Sequence, residues 1–261
     1  MNKILVVLGM LLSFAAEAKV LVISDIDDTL KVTNVRSKAG AGSSFFDDGS
    51  LFKGMPELFQ ALQASYNDIE FHYVSLAPKA LMFEQHEDFI KENHFPLTAL
   101  HTNPNWKQDP EYKQKTIRAL LAEKKPELVI YFGDNGQFDT VVYRQMNQEF
   151  KSIPEVTYIR EAYSSKGADI LPVLPGQVGF VTSFEVTIDL ISKNILPASV
   201  YPKMEKLIYK ALKKDDGDEH FGRMMYPHWM DCRDFKWQWN LTNTSPAFNF
   251  IKQDILKRCT R

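Results

Sequence analysis

The arrangement of apolar segments between residues 20 and about 160 is the feature that most narrows the possible folds. Short runs rich in β-branched residues alternate there with longer segments whose apolar residues recur at helical spacing. The runs that predict strands are Val20–Ser24, Ile69–Ser75, Leu97–Thr102, Leu128–Gly133 and Val156–Arg160. The helical patterns cover Met55–Ser65, Ala80–Glu92, Tyr112–Glu123 and Asp139–Phe150, and Ile188–Asn194 belongs to a further helix. Such alternation predicts an α/β fold with a parallel sheet flanked by helices.

One long segment interrupts this alternation. Residues 34–53 contain Gly and Ser and keep no sustained period, which predicts a long excursion after the first strand. Its apolar side chains allow two interpretations, since they either line an approach to a site or pack the loop onto the body of the protein. They are Phe45, Phe46, Leu51 and Phe52.

The C-terminal part differs in character, because the alternation of strands and helices stops near residue 200. We expect residues 201–261 to form a mainly helical and irregular extension. We interpret the aromatic cluster around Trp237 as core packing, with a role at a lipid interface as the alternative. Both cysteines of the chain, Cys232 and Cys259, lie there. We predict that they form a disulfide, which would stabilise the fold by roughly 3–4 kcal/mol in the chain-entropy model. The alternative is two unpaired thiols in a small core.

The N-terminus carries the pattern of a secretory signal. Lys3 precedes an apolar stretch of 13 residues from Ile4 to Ala16, and Ala16-Glu17-Ala18 fits a signal peptidase site. At 1.5 Å per residue the stretch spans about 20 Å, too short for a transmembrane anchor. We therefore predict that residues 1–18 are removed and that the mature protein is exported, to the periplasm or the extracellular space. The alternative is that the apolar stretch is a buried first strand or helix of the fold.

The charge balance argues against a nucleic-acid partner. The chain has 31 Lys and Arg against 33 Asp and Glu, a formal net charge of −2, and no run of basic residues. Proteins that grip phosphate backbones need a positive field, so we expect no nucleic-acid partner.

Acidic side chains follow two of the predicted strands. Asp25, Asp27 and Asp28 come directly after the first strand, Asp134 ends the apolar run LVIYFG, and Asp139 lies five residues later. In an open parallel sheet the carboxyl ends of the strands form one edge, where ligands bind. Carboxylates brought together there require a cation, and Mg²⁺ prefers oxygen ligands of this kind. The alternative for any single Asp is a turn or a helix N-cap.

These segments resemble a known superfamily. DIDDT after its apolar run, Ser75 in VSLAP, and FGDNGQFD are similar to motifs of the haloacid dehalogenase (HAD) superfamily. In order, DIDDTLKVT, FKGMPELFQAL, FHYVSLAP, YKQKTIRALL and FGDNGQFDTVVY resemble the catalytic domain of the actin-patch-protein type of phosphatidate phosphatases, over about residues 20–165. The resemblance implies a HAD-like Rossmannoid three-layer sandwich with a minimal cap, which we place at residues 19–200.

The resemblance also implies roles for individual side chains. Asp25 matches the nucleophile that forms an aspartyl-phosphate, and Asp27 matches the general acid, a role for which neighbours should raise its pKa. Asp134 matches a metal ligand, together with the Asp25 carboxylate and the Asp27 backbone carbonyl. Asp139 matches a water-mediated or second-sphere contributor to the metal site. Ser75 would bind a phosphoryl oxygen.

A lysine is also expected to bind the phosphoryl group. Lys113 lies in helical register with Ile117 and Leu120 and so begins the inward face of its helix, whereas Lys115 should be solvated. We therefore assign the catalytic and substrate-binding lysine to Lys113. Thr29 is expected to fix the turn after the first strand by a local hydrogen bond. Asp28 orients Asp27 or the loop, or it caps a turn.

Together these expectations describe an exported, Mg²⁺-dependent phosphomonoester hydrolase that acts through an aspartyl-phosphate, with phosphatidate as the substrate implied by the resemblance. One alternative is a general periplasmic phosphomonoesterase for soluble substrates. The other is a non-catalytic protein that uses the HAD fold to bind a partner.

Overall fold

A computed structural model describes residues 19–36, 50–106, 109–166, 170–214, 223–224, 226–242 and 244–260. The predicted signal sequence, residues 1–18, lies outside this range, so its removal and the export of the protein stay predictions. Phe45 and Phe46 of the predicted excursion also lie outside it. None of the described helices combines the length and the apolar character that crossing a membrane requires.

The described elements follow the predicted alternation. The strands are β1 (Val20–Ser24), β2 (Leu51–Phe52), β3 (Ile69–Pro78), β4 (Ala99–Asn103), β5 (Leu128–Asp134), β6 (Glu155–Arg160), β7 (Val178–Phe180) and β8 (Arg223–Met224). The helices are α1 (Met55–Ser65), α2 (Lys79–Glu92), α3 (Pro110–Lys124), α4 (Asp139–Glu149), α5 (Ser183–Ser192), α6 (Tyr201–Leu212) and α7 (Pro246–Cys259), with a short 3₁₀ turn at Ala198–Val200.

Six strands form one parallel sheet in the order β4-β3-β1-β5-β6-β7. The central strand β1 is buried along its whole length and lies between β3 and β5, with Ser24 paired to Tyr73 on one side and Phe132 on the other. All three strands therefore end at the same edge of the sheet. The residues that follow them, including Asp25, meet at that edge.

The alternating side chains of β1 serve two cores. Val22 joins the layer that contains α1 and α2, whereas Leu21 and Ile23 join the layer that contains α3 and α4. A sheet that is covered by helices on both faces is the three-layer α/β arrangement that the sequence predicts. The fold class is thus confirmed.

Strand β2 decides between the two interpretations of the apolar residues in the excursion for Leu51 and Phe52, the two of them that the structure describes. Leu51 and Phe52 are buried and form β2, which pairs with β8 in a separate two-stranded sheet. These two side chains therefore pack the segment onto the body and do not line an open approach.

The C-terminal residues form a further core together with α5. Phe184 of α5 contacts Phe248 of α7, with ring centroids 6.0 Å apart, and both lie in a cluster that includes Trp239. Cys232 and Cys259 form a disulfide within this cluster, as predicted. The extension is helical and irregular, as expected. Because its core includes α5, the cluster crosses the predicted domain division at residue 200, and that division stays a prediction.

Candidate active site

Three carboxylates meet at the carboxyl edge of the sheet. Asp25 follows β1, Asp134 is the last residue of β5, and Asp139 is the first residue of α4. One carboxylate oxygen of each lies within 4.8 Å of the others, and all three side chains are buried. The strand ends predict that Asp25, Asp27 and Asp134 converge. Asp25 and Asp134 do so and Asp139 joins them, whereas the Asp27 carboxylate is not part of this group.

A buried lysine connects two of these carboxylates. The Lys113 ammonium lies 2.7 Å from Asp25 Oδ1 and 2.5 Å from Asp139 Oδ1. Helix α3 begins at Pro110 after Asp109, whose carboxylate caps the helix by accepting from the Glu111 N–H. This start places Lys113 on the buried face of the helix, as its register predicts. Lys115 is exposed, as expected, and pairs with Glu111.

The charges of this group are not balanced. Three carboxylates face one ammonium, and burial raises the pKa of Asp25 to about 8, helped by Asp139 and Asp27 and opposed by Lys113. Burial and the neighbouring carboxylates also hold the pKa of Asp134 well above its usual range. For Lys113, the attraction of Asp139 and Asp25 outweighs burial and raises the pKa. A buried surplus of negative charge on hard oxygen donors fits a divalent cation.

The backbone around Asp134 holds the carboxylates in position. Asp134 Oδ1 accepts a hydrogen bond of 2.5 Å from the Gly136 N–H, and Asp139 Oδ2 accepts one of 3.2 Å from the Asp134 N–H. Gly133 provides the space for this arrangement, because a Cβ there would lie 2.6 Å from both Cβ and Oδ2 of Asp139. The approach of α4 to the end of β5 therefore depends on glycine at position 133.

Asp27 lies apart from the three carboxylates. Its Oδ2 is 3.3 Å from Nε2 of the buried His86, an ion-pair distance without the alignment of a hydrogen bond. Burial alone would raise the pKa of Asp27, but His86 and Lys31 outweigh it and the pKa is lowered. The expectation that its neighbours raise this pKa is therefore wrong for the protein without bound ligands.

His86 is the contact that the sequence reasoning missed. It occupies the buried face of α2 together with Met82, Phe89 and Ile90. That helical register was a signal for an inward-facing histidine. A residue on α2 nevertheless gives no sign that its partner is an Asp in the loop after β1, since this contact depends on tertiary structure.

Ser75 lies in β3 beside the β1 end. It is buried, and its Oγ accepts a hydrogen bond of 3.0 Å from the Ala77 N–H. Among the described residues no acceptor takes the Ser75 hydroxyl proton, which leaves it available to a ligand at the sheet edge. His72, on the same strand, is buried and contacts His101 and Glu70.

Asp28 organises the loop that follows β1. It adopts a left-handed backbone conformation, with φ of 54°, and its carboxylate accepts hydrogen bonds from the backbone N–H groups of Thr33, Asn34 and Val35. The Tyr163 hydroxyl donates to the same carboxylate. Of the interpretations left open for Asp28, the structure favours the one in which it orients the loop. The Thr29 hydroxyl lies 3.5 Å from Asp25 Oδ2, a local contact.

Solved structures resemble the chain only weakly. A Pnkp1/Rnl/Hen1 complex has a TM-score of 0.37 at 16% identity, over 55% of this chain and 47% of that chain. A glycotransferase of kitacinnamycin has a TM-score of 0.31 at 11% identity, over 76% and 40%. A trehalose-6-phosphate phosphatase of Aspergillus fumigatus has a TM-score of 0.32 at 12% identity, over 73% and 93%. The chain spans less than half of the first two, and no curated protein matches it.

The sequence itself matches a protein family. Residues 20–161 match the family described as the catalytic domain of the phosphatidate phosphatase APP1, which is more than half of the 261 residues. The matched range contains β1 to β6 and the site residues Asp25, Asp27, Ser75, Lys113, Asp134 and Asp139. The resemblance that the ordered motifs indicate is thereby confirmed. The chain belongs to the family of the phosphatidate phosphatase APP1 catalytic domain.

Proposed function

We propose that this protein is an exported Mg²⁺-dependent phosphatase that hydrolyses phosphatidate through an aspartyl-phosphate on Asp25. The observation that carries this proposal is the buried group formed by Asp25, Asp134, Asp139 and Lys113 at the sheet edge, next to Ser75. The family match supports the proposed phosphatase activity, and its description makes phosphatidate the first substrate to test.

Asp25 is the proposed nucleophile. Its carboxylate oxygen attacks phosphorus, the bond between phosphorus and the leaving oxygen breaks, and the phosphoryl group moves to Asp25. The Lys113 ammonium, 2.7 Å from Asp25 Oδ1, keeps the carboxylate oriented and offsets the negative charge brought by the substrate. The raised pKa of Asp25 indicates that the attacking carboxylate needs additional positive charge to be ionised at neutral pH.

Asp25, Asp134 and Asp139 are the residues that would hold the cation, with the backbone carbonyl of Asp27. Mg²⁺, when bound, supplies positive charge that stabilises the phosphoryl oxygens during transfer. Asp139 also keeps Lys113 in place through their hydrogen bond of 2.5 Å. Lys113 would therefore position the metal-binding carboxylates and also offset the negative charge of the substrate.

Asp27 is the proposed general acid and base. It gives a proton to the leaving oxygen, then takes one from the water that attacks the aspartyl-phosphate, which releases inorganic phosphate and restores Asp25. The contact with His86 fixes the position of the Asp27 carboxylate and favours its ionised form. A phosphoryl group beside Asp27 adds negative charge and shifts its pKa upward, so the acid step belongs to the enzyme with substrate bound.

Ser75 completes the proposed phosphoryl site. Its oxygen accepts from the Ala77 N–H, which orients the hydroxyl so that its proton can be donated to a phosphoryl oxygen. Lys113 and Ser75 come from α3 and β3, two elements that pack against each other. The substrate phosphate would be held between them.

Export is proposed from the N-terminal pattern of residues 1–18. The disulfide between Cys232 and Cys259 supports it, because disulfides persist outside the reducing cytosol. Intact-mass measurement of the protein recovered from its native source tests this point. Retention of residues 1–18 would contradict it.

The experiment that tests the proposed reaction measures phosphate release from phosphatidate and from a panel of soluble phosphomonoesters, with Mg²⁺ and after chelation. We expect Mg²⁺-dependent turnover that favours phosphatidate, and a loss of at least about a thousandfold in Asp25→Asn. Asp68→Asn is the matched control, because the same chemical change is made at an exposed residue before β3, at the opposite edge of the sheet.

Each other outcome has a defined meaning. Preference for soluble esters would replace phosphatidate by a soluble substrate, whereas full activity of Asp25→Asn would exclude Asp25 as the nucleophile. Turnover that is insensitive to chelation would remove the metal from the proposal.

A further inference from the structure

Exposed large apolar side chains are concentrated on one side of the described molecule. Trp106 is 70% exposed, Leu81 is 48% exposed, Val141 is 42% exposed and Phe138 is 39% exposed. Among the described residues only Leu241 is a further exposed large apolar side chain. We call Leu81, Trp106, Phe138 and Val141 the apolar rim.

The topology places the apolar rim around the catalytic edge of the sheet. Leu81 is the third residue of α2, which follows β3 directly, and Trp106 comes three residues after β4. Phe138 comes four residues after β5 and lies one helical turn before Val141 in α4. Because β3 and β5 flank β1, their ends are about 10 Å apart, and the loop with Asp25 lies between them.

A groove lies within this rim. It has a volume of about 530 Å³ and is lined by Lys79, Ala80, Leu81, Phe83, Glu84 and Pro104, so it runs between the start of α2 and the end of β4. The Lys79 ammonium lies 5.5 Å above the Phe83 ring, which places a cation beside the apolar lining. Leu81, Phe83 and Pro104 make part of this lining apolar, while Lys79 and Glu84 add charges of both signs, a mixture that suits the boundary between lipid head groups and acyl chains.

We propose that the apolar rim docks this phosphatase onto the surface of a lipid bilayer that contains phosphatidate. This inference rests on the proposed function, because phosphatidate has its phosphate at the bilayer surface and its acyl chains within the bilayer. The enzyme must bring its sheet edge to that surface to reach the phosphate. The side chains that surround the edge, and above all the exposed Trp106, are of the kind that partitions into the interfacial region.

The rim also has the arrangement that a planar surface needs. Its members come from the segments after β3, β4 and β5, so they lie on both sides of the catalytic loop. Burial of all of them against one bilayer would orient the site toward the phosphate. Of the occupants that could cover these residues, a bilayer is the one that carries the proposed substrate.

Vesicle binding by the double variant Leu81→Ser/Trp106→Ser tests the proposal. We expect it to bind vesicles of phosphatidylcholine and phosphatidate at least about tenfold more weakly than the wild type in a sedimentation assay. Leu241→Ser is the matched control, since Leu241 is 41% exposed but lies on the C-terminal segment. There Trp239 donates to Asp189 near the end of α5, away from the catalytic edge. This control should bind as the wild type does.

Two activity assays separate docking from the proposed function. On short-chain phosphatidate dispersed as monomers, we expect the double variant and the wild type to have equal rates, while the variant loses activity on vesicles by the factor it loses in binding. No hydrolysis of short-chain phosphatidate by the wild type would contradict the proposed function but leave the vesicle-binding result to decide the docking surface.

Three results would overturn the docking proposal. The first is that the double variant binds vesicles as tightly as the wild type. The second is that the control Leu241→Ser loses as much vesicle binding as the double variant does. The third is that the wild type does not bind vesicles. Light scattering of the wild type and the double variant measures self-association in addition. If the wild type self-associates and the double variant does not, without any difference on vesicles, the apolar rim is an interface between copies of this chain and the bilayer proposal is wrong.

Discussion

The guanidinium of Arg160 donates two hydrogen bonds to the carbonyl oxygen of Thr29, of 3.1 Å from Nε and 2.9 Å from Nη2. Nη1 donates a third, of 2.6 Å, to the carbonyl of Val181. The group is fully buried between the rings of Phe52 and Phe180. Arg160 therefore connects the turn that carries the catalytic aspartates to the end of the sheet at β7.

Substitution Arg160→Lys should weaken both the fold and the reaction. An ammonium cannot reproduce the forked geometry, so at least one carbonyl loses its donor in a buried place. We expect the free energy of unfolding to fall by about 2–3 kcal/mol and phosphatase activity to fall as the turn loosens. Denaturant unfolding measures the first effect. The exposed Arg118, which pairs with Glu149, provides the control Arg118→Lys, for which we expect a change within about 0.5 kcal/mol.

Lys113→Met should abolish most of the activity. The substitution removes the ammonium that contacts Asp25 and Asp139, and it leaves the buried carboxylates without their cation. We expect kcat to fall by about 10²–10³-fold in steady-state assays at saturating Mg²⁺. Lys115→Met, two residues away but exposed, should retain wild-type activity. Equal effects of the two substitutions would contradict the role of Lys113.

Gly133→Ala tests the fit between β5 and α4. The added Cβ would lie 2.6 Å from Asp139 Cβ and 2.7 Å from the Tyr143 ring, so Asp139 must shift. Displacement of one carboxylate should weaken the apparent Mg²⁺ affinity by about tenfold or more. A Mg²⁺ titration of activity measures this shift, and circular dichroism checks that the fold is kept. An unchanged Mg²⁺ dependence would show that Asp139 does not contribute to the cation site.

The central strand and the helix that carries Lys113 have sequence signals that lie within the segments themselves, so both could be predicted. β1 coincides with the predicted Val20–Ser24 because a short apolar run bounded by polar residues defines it. Lys113 was predicted to be buried because its register with Ile117 marks the inner face of α3. The predicted strand Ile69–Ser75 ends too early, since β3 continues past Ser75 to Pro78.

Other contacts depend on parts of the chain that are distant in sequence. Arg160 and Thr29 are separated by 131 positions, and no local pattern relates a residue at a strand end to the turn that it stabilises. The contact between His86 and Asp27 and the pairing of β2 with β8 have the same origin. Tertiary packing decides these features, so a single sequence does not contain a visible signal for them.

Loss of the disulfide should destabilise the C-terminal core without removing the active site. Cys232 and Cys259 are 27 positions apart, and a crosslink over a loop of this length contributes about 3.5 kcal/mol in the chain-entropy model. We expect Cys232→Ser/Cys259→Ser to lose about that much free energy of unfolding and to keep its activity at low temperature. Reduction should destabilise the wild type equally and leave the double variant unchanged. A reductant effect on the variant would indicate another cause.

The pH dependence of stability should contain a contribution from Glu161. Burial raises the pKa of this carboxyl from 4.5 to about 7, and the nearby Asp234 and Glu185 add to the effect. The folded state therefore holds a proton that the unfolded state has lost between pH 4.5 and 7. In this window stability falls as pH rises, because ionisation in the folded state carries a cost that the unfolded state does not have.

Glu161→Gln removes that cost. Relative to the wild type we expect little difference in the free energy of unfolding near pH 4.5 and about 3 kcal/mol of stabilisation well above pH 7. Denaturant unfolding at several pH values gives this difference directly. Glu123→Gln, at an exposed position on α3, is the control and should give a difference that stays near zero throughout. If the Glu161→Gln difference were constant from pH 4.5 to 8, the pKa of Glu161 would not be raised in the folded protein.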